Sequence, residues 1–170
     1  MGHRALVAAA RSNGRYDLYG SQWGAHEWRL AATLAGGVTV ERAGSFTLVA
    51  TDCSFEDVVA EYVDFQTHEA LFVVTSEHVR PYLVCWFGLP GVDATGPRPG
   101  ALVGVDADRP TADGEYLRGL FTGAKRTLVG LAADERLDPA TARASLVLRV
   151  ASLAEERPVH FGPVTDRHGT

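Results

Sequence analysis

The stretch RALVAAARSNGRYDLYGSQWG, Arg4 to Gly24, decides how the rest of the chain is read. Arg4 to Arg11 is apolar at nearly every interior position, which predicts a strand buried on both faces. Asn13-Gly14 follows, the strongest short hairpin signal, because both residues tolerate a positive φ. Tyr16 to Trp23 reads as the returning strand. A two-residue loop at Asn13-Gly14 makes paired positions sum to 27, setting Leu18 against Ala9, Tyr19 against Ala8, Gln22 against Ala5 and Trp23 against Arg4.

Beyond Gly24 the period becomes helical through Trp28, Ala31, Ala32 and Ala35, and Gly36-Gly37 supplies a stop. Val38 to Asp52 alternates in part and predicts one or two strands. Ser54 caps a short helix with Val58, Val59 and Tyr62 on its apolar face. Leu71–Thr75 and Tyr82–Phe87 read as a second hairpin. Gly88 to Gly100 holds four glycines and three prolines, the composition of a flexible loop, before a short strand at Ala101–Val105.

A long helix then begins near Thr111, its apolar face carrying Leu117, Leu120, Phe121, Ala124, Leu128 and Leu131. Gly119 and Gly123 read as places where a neighbour packs closely. Asp138-Pro139, an N-cap followed by a proline in the first helical position, opens a second helix striped by Ala142, Leu146, Val150 and Leu153. The chain past Pro158 reads as a tail, loose from residue 162 onward, with Val159–Phe161 able to dock. The expected fold is α+β: a mostly antiparallel sheet of about five or six strands with helices packed on it, ending in an antiparallel helix pair. One domain across residues 1–170 is the natural expectation for this length.

Composition excludes several classes. The chain is 46% hydrophobic and 22% charged, ordinary for a globular protein, with no apolar run long enough for a bilayer and no signal peptide in MGHRALVAAAR. A cytoplasmic location and no membrane partner follow as expectations. A net charge of −5 argues against nucleic-acid binding. Cys53 and Cys85 are too few for a metal knuckle or a disulfide framework.

His26-Glu27 and His68-Glu69 begin like a zinc-protease helix, but Leu30 and Phe72 stand where the second histidine is required. No metal and no cofactor are therefore expected. The N-terminus does not build a terminal-nucleophile hydrolase, since Gly2 carries no side chain to attack with. Two candidate sites remain. Cys53, just before a helix N-terminus, with His68 as base, would be a thiol pair. The hairpin register brings His3 and Arg4 beside Trp23 and Gly24, with Gln22 and His26 close by. His3, Arg4, Gln22, Trp23 and His26 thus form a donor set around an aromatic floor, suited to a small anion or a planar ligand.

The phrases MGHRALVA, NGRYDLYGSQWGA, YVDFQTHEALFVV and VCWFGL resemble a family of small uncharacterised haloarchaeal proteins that share an N-terminal Gly-His-Arg-Ala-Leu-Val strand. The resemblance runs over about the first ninety residues and implies a salt-rich cytoplasm, in keeping with fifteen arginines to one lysine. It implies no activity. The leading expectation is a non-enzymatic protein that binds a protein partner or a small ligand. The alternative is a small hydrolase or transferase using the N-terminal cluster or the Cys53–His68 pair. Homodimerisation through the Trp86-Phe87 hairpin edge or the helix pair is a further possibility.

Overall fold

The computed structural model describes residues 3–37, 39–40, 46–91 and 99–163. Among these, seven strands make one sheet: β1 (Ala5–Ala10), β2 (Tyr16–Ser21), β3 (Thr47–Cys53), β4 (Ala70–Val74), β5 (Val79–Trp86), β6 (Gly100–Gly104) and β7 (Val159–Phe161). Their order is β3-β2-β1-β4-β5-β6-β7. Every neighbouring pair is antiparallel except β1 and β4, which run parallel with Ala5 opposite Ala70. The α+β expectation therefore holds, with Val159–Phe161 docking as a seventh strand.

Four helical segments accompany the sheet: α1 (Arg29–Ala35), α2 (Phe55–Asp57, continued by a wide turn over Val58–Tyr62), α3 (Pro110–Ala133) and α4 (Pro139–Ser152). Side-chain alternation along the central strands sends Ala5, Val7, Phe72, Leu83, Cys85 and Val103 towards α1, α3 and α4. Leu6, Ala8, Leu18, Leu71, Val84 and Leu102 pack on the opposite face against Val58, Val59, Val63 and Phe65. Strands covered on both faces need near-continuous apolar runs, which is why Ala5–Ala8 and Leu71–Val73 carry no polar residue.

The first hairpin forms, but its register is one residue away from expectation. Arg11 N–H donates to Arg15 O (2.7 Å) and Gly14 N–H to Arg11 O (3.1 Å), so the loop is Ser12-Asn13-Gly14, with Gly14 at φ +78°. This is a three-residue loop in which the left-handed glycine makes a bulge. Paired positions sum to 26: Ala5 faces Ser21, Val7 faces Tyr19 and Ala8 faces Leu18. The shift exchanges the faces that the two strands share, placing Leu18 beside Leu6 and Ala8.

The first helix also departs from its expected phase. His26–Trp28 forms a tight turn, and Glu27 (φ +50°) and Trp28 (φ +58°) are both left-handed. The regular helix starts at Arg29 and buries Leu30, Ala31 and Leu34, leaving Ala32 and Ala35 exposed. Counting from Trp28 fails because Trp28 precedes the helix. Its indole is fully buried instead, edge-on to Phe72 (ring centroids 6.1 Å apart), with Nε1–H donating to Glu115 Oε1 (3.2 Å).

Gly114 makes room for that indole: a Cβ there would stand 2.2 Å from Trp28 Cε2. Gly119 and Gly123, expected to admit a neighbour, have nothing within 4 Å of such a Cβ. Both caps form as read. Ser54 Oγ accepts from Asp57 N–H (3.0 Å) while Asp57 accepts from Ser54 N–H (2.9 Å), and Asp138 accepts from Thr141 N–H (2.9 Å) ahead of Pro139.

The Gly/Pro segment 88–100 is not uniformly a loop. Gly88 and Leu89 are buried, Gly100 already belongs to β6, and residues 92–98 lie outside the described set. Gly162 is buried and donates to Gly100 O (2.9 Å), so the tail is held one residue past β7; residues 164–170 also lie outside. Trp86-Phe87 does not lie on a free sheet edge, because β5 is an interior strand flanked by β4 and β6 and Phe87 is buried. No described helix is long and apolar enough to cross a membrane.

The glycines give a paired test. Gly114→Ala is expected to cost about 1–3 kcal/mol by forcing the Trp28 ring from its seat. Gly119→Ala, in open space on the same helix, is expected to stabilise by roughly 0.5–1 kcal/mol through helix propensity. Urea unfolding of both variants checks this, and equal midpoints would contradict the seating of Trp28.

Candidate functional site

The 26-sum register fixes the geometry at the open end of the first hairpin. Arg4 falls opposite Gln22 and its Nε–H donates to Gln22 Oε1 (3.1 Å). His3 falls opposite Trp23, with ring centroids 6.3 Å apart. The corner after β2 is closed by Ala25 N–H donating to His3 O (3.0 Å) and His26 N–H donating to Trp23 O (3.1 Å). This swings His26 back until its ring centroid lies 5.0 Å from that of His3. The five residues singled out from the sequence thus line one open cleft of about 1200 Å³.

The parallel partner supplies what local sequence reading missed. Glu69 N–H donates to Arg4 O (2.9 Å) and Val84 N–H to Glu69 O (3.0 Å), so the head of β4 is pinned between β1 and β5. Its carboxylate then meets His3 Nδ1 at 2.9 Å. A carboxylate on one ring nitrogen fixes the tautomer and orientation of an imidazole. Arg118 on α3 approaches the same carboxylate at 3.7 Å, pairs with Glu115 at 3.1 Å and lies over the Trp28 ring at 5.5 Å. No local motif marks Glu69; it reaches His3 through the non-local pairing of β1 with β4.

The cleft's charge is lopsided. Arg4, Arg29 and the imidazoles of His3, His26 and His68 line it, and no aspartate or glutamate does among the described residues. Arg29 is paired with Glu27, whereas Arg4 has no carboxylate partner among the described residues. Trp23 is 65% exposed, so its ring is a bare platform beside these donors. Gly20, Ser21, Gly24, Thr33 and Thr47 add small or weakly polar surface to the walls, and Phe46 and Val49 add apolar surface.

The thiol pair does not assemble. Cys53 lies opposite Tyr16, at the hairpin-tip end of the sheet, while His68 precedes Ala70, opposite Ala5 at the other end. The five strand steps from Ala5 to Ala10 alone separate them by about 17 Å, far beyond proton-transfer reach. Cys53 is buried and its Sγ contacts Thr51 O at 3.6 Å. Burial pushes the Cys85 thiol up to about 12, leaving it unreactive. Within the described residues no three His, Cys, Asp or Glu side chains converge as a metal site would require.

Fold and cleft together define an α+β sheet protein with a cationic, aromatic-floored recess at one end of its sheet. The chain belongs to a family of unknown function, DUF6735, whose model matches residues 1–41 and 45–160. The match extends well past the first ninety residues over which the sequence resemblance ran. No curated protein and no solved structure matches the chain.

His68, at the cleft wall, makes a pH-dependent contribution. Its Nδ1 accepts from Asp64 N–H (3.0 Å), which requires that nitrogen unprotonated. Burial lowers its pKa, Asp64 opposes and Arg4 adds to the lowering. A histidine lowered on folding binds fewer protons than in the unfolded chain. Its stabilisation is complete above the unfolded value of about 6.5 and is lost as pH falls through the folded value. His68→Asn retains an acceptor without the titration. Wild type is therefore expected to lose more stability than His68→Asn in urea unfolding between pH 7.5 and 5, and parallel profiles would overturn the assignment.

Proposed function

We propose that the protein is a cytoplasmic binding protein of one domain, and that its cleft takes a small, planar, anionic ligand. The observation that carries this is the lining itself. In a chain of 21 acidic residues, the described walls hold an unpaired Arg4, three imidazoles and the exposed Trp23 ring, and no carboxylate. An aromatic face offers stacking to a flat group while the Arg4 guanidinium offers charge-assisted hydrogen bonds to an anion. Gln22 already holds Arg4, so the cation is preorganised and less entropy is lost on binding. Two buried free thiols and an arginine-rich composition suit a reducing, salt-rich cytoplasm such as the haloarchaeal one.

A second reading rests on the 2.9 Å contact between His3 Nδ1 and Glu69. A carboxylate-oriented histidine in an open cleft is the arrangement of a general base, so acid–base chemistry on the bound anion is the alternative. It predicts turnover that His3→Gln abolishes; the binding reading needs none.

Three probes separate charge from shape. 2-Naphthoate is planar and anionic, 2-naphthamide planar and neutral, and cyclohexanecarboxylate anionic but not flat. Calorimetric titration is expected to rank naphthoate tightest. Arg4→Gln is expected to weaken naphthoate about tenfold, close to 1.4 kcal/mol, and Trp23→Ala by a similar factor. Equal affinity for all three probes, or naphthoate binding untouched by both variants, would sink the proposal.

A further inference from the structure

A second cleft, of about 610 Å³, adjoins the first and shares His3 and His68 with it. One stripe of α3 forms its floor: Arg118, Thr122, Lys125, Arg126 and Val129 recur at spacings of three and four. Facing them are Gln66 and Glu69 at the head of β4 and Trp86 at the end of β5.

Lys125 is the one lysine in a chain with fifteen arginines. Its Nζ donates to Trp86 O (2.6 Å) and lies 4.2 Å from the Trp86 ring centroid. Arginine serves both purposes at least as well, since guanidinium stacks on aromatic faces and donates to carbonyls. What arginine cannot do is give up its proton and become a nucleophile. No carboxylate pairs with Lys125 among the described residues, and burial lowers its amine to about 8, with Cys85 on β5 opposing. Beside it, Arg126 has no ion-pair partner among the described residues, whereas Arg118 is engaged by Glu115 and Glu69.

We infer that Lys125 is a reactive amine that forms an imine with a small carbonyl compound bearing a carboxylate, the carboxylate held by Arg126. The unprotonated Nζ attacks the carbonyl carbon and the C–N bond forms as the carbonyl oxygen takes up a proton. That proton is replaced by one from the new ammonium, so the carbinolamine hydroxyl then leaves as water with the second amine proton, and C=N replaces C=O. No oxidant or reductant is consumed. Burial and Cys85 from β5 act on Nζ, and the other titratable groups lining the same cleft are Arg118 and Arg126 from its own helix, His68 and Glu69 from the head of β4, and His3 ahead of β1.

Reductive trapping tests this on the intact protein. Glyoxylate with cyanoborohydride converts an imine into a stable carboxymethyl-amine, and peptide mass mapping distinguishes Lys125 from the amino terminus. Labelling of Lys125 is expected to reach half its maximal rate near pH 8, where an ordinary lysine does so above pH 10. Arg126→Gln is expected to slow glyoxylate labelling about five- to tenfold while leaving labelling by neutral acetaldehyde unchanged. Lys125→Arg, which keeps the cation on Trp86, is expected to retain the fold by circular dichroism and lose the label. Label confined to the amino terminus, a Lys125 profile matching a free lysine peptide, or an equal response of both aldehydes to Arg126→Gln would overturn the inference.

Discussion

The seating of the Trp28 indole on Gly114 is the contact on which the rest depends. It anchors the turn that carries His26 to the long helix α3, and through Arg118 and Glu115 it reaches the carboxylate that holds His3. Thr111 at the start of α3 donates to Glu27 O (3.0 Å) and closes the same corner. Two consecutive left-handed non-glycine residues are costly, on the order of 1–3 kcal/mol each. Burying roughly 200 Å² of indole at about 25 cal/mol/Å² contributes around 5 kcal/mol, enough to hold the kink. The kink shapes the cleft: the turn ahead of it holds the His26 ring 5.0 Å from that of His3.

Much of this is legible in the sequence. The apolar run in β1, the Asn-Gly turn, the Ser54 and Asp138 caps and the helix pair all depend on short-range chemistry, and local sequence shows them. The register did not follow, because a left-handed Gly14 serves a two-residue and a three-residue loop equally well. Nor did the phase of α1, since Trp28 sits in a kink that breaks the count. The parallel union of β1 with β4 joins residues 65 positions apart, and with it came Glu69, the site member no motif announced. His3 and Arg4 still face Gln22 and Trp23 despite the shifted register, because a slip of one position keeps these four at the same end of the hairpin. The Cys53–His68 pair did not survive, because it relied on closeness in sequence between residues that the crossover sends to opposite ends of the sheet.

Net charge misleads at this site. The chain carries −5, yet among the described residues the acids near the cleft are engaged: Glu69 by His3 and Arg118, Glu27 by Arg29, Glu115 by Trp28 and Arg118. Arg4 has no carboxylate partner among the described residues. Salt screens Coulomb attraction between exposed charges over about 10 Å at ~0.1 M ionic strength, so direct contact adds more than distant charge. An exposed tryptophan beside a held guanidinium supplies such contact, which is why the ligand is argued to be flat as well as negative.

Native mass spectrometry of the protein purified gently from its own cells tests the central claim most directly, comparing wild type with the Arg4→Gln, Trp23→Ala double variant. The account expects wild type to carry a small planar anion that the double variant lacks, both proteins being folded. Wild type isolated without a small molecule, or with one that the double variant retains, would contradict it.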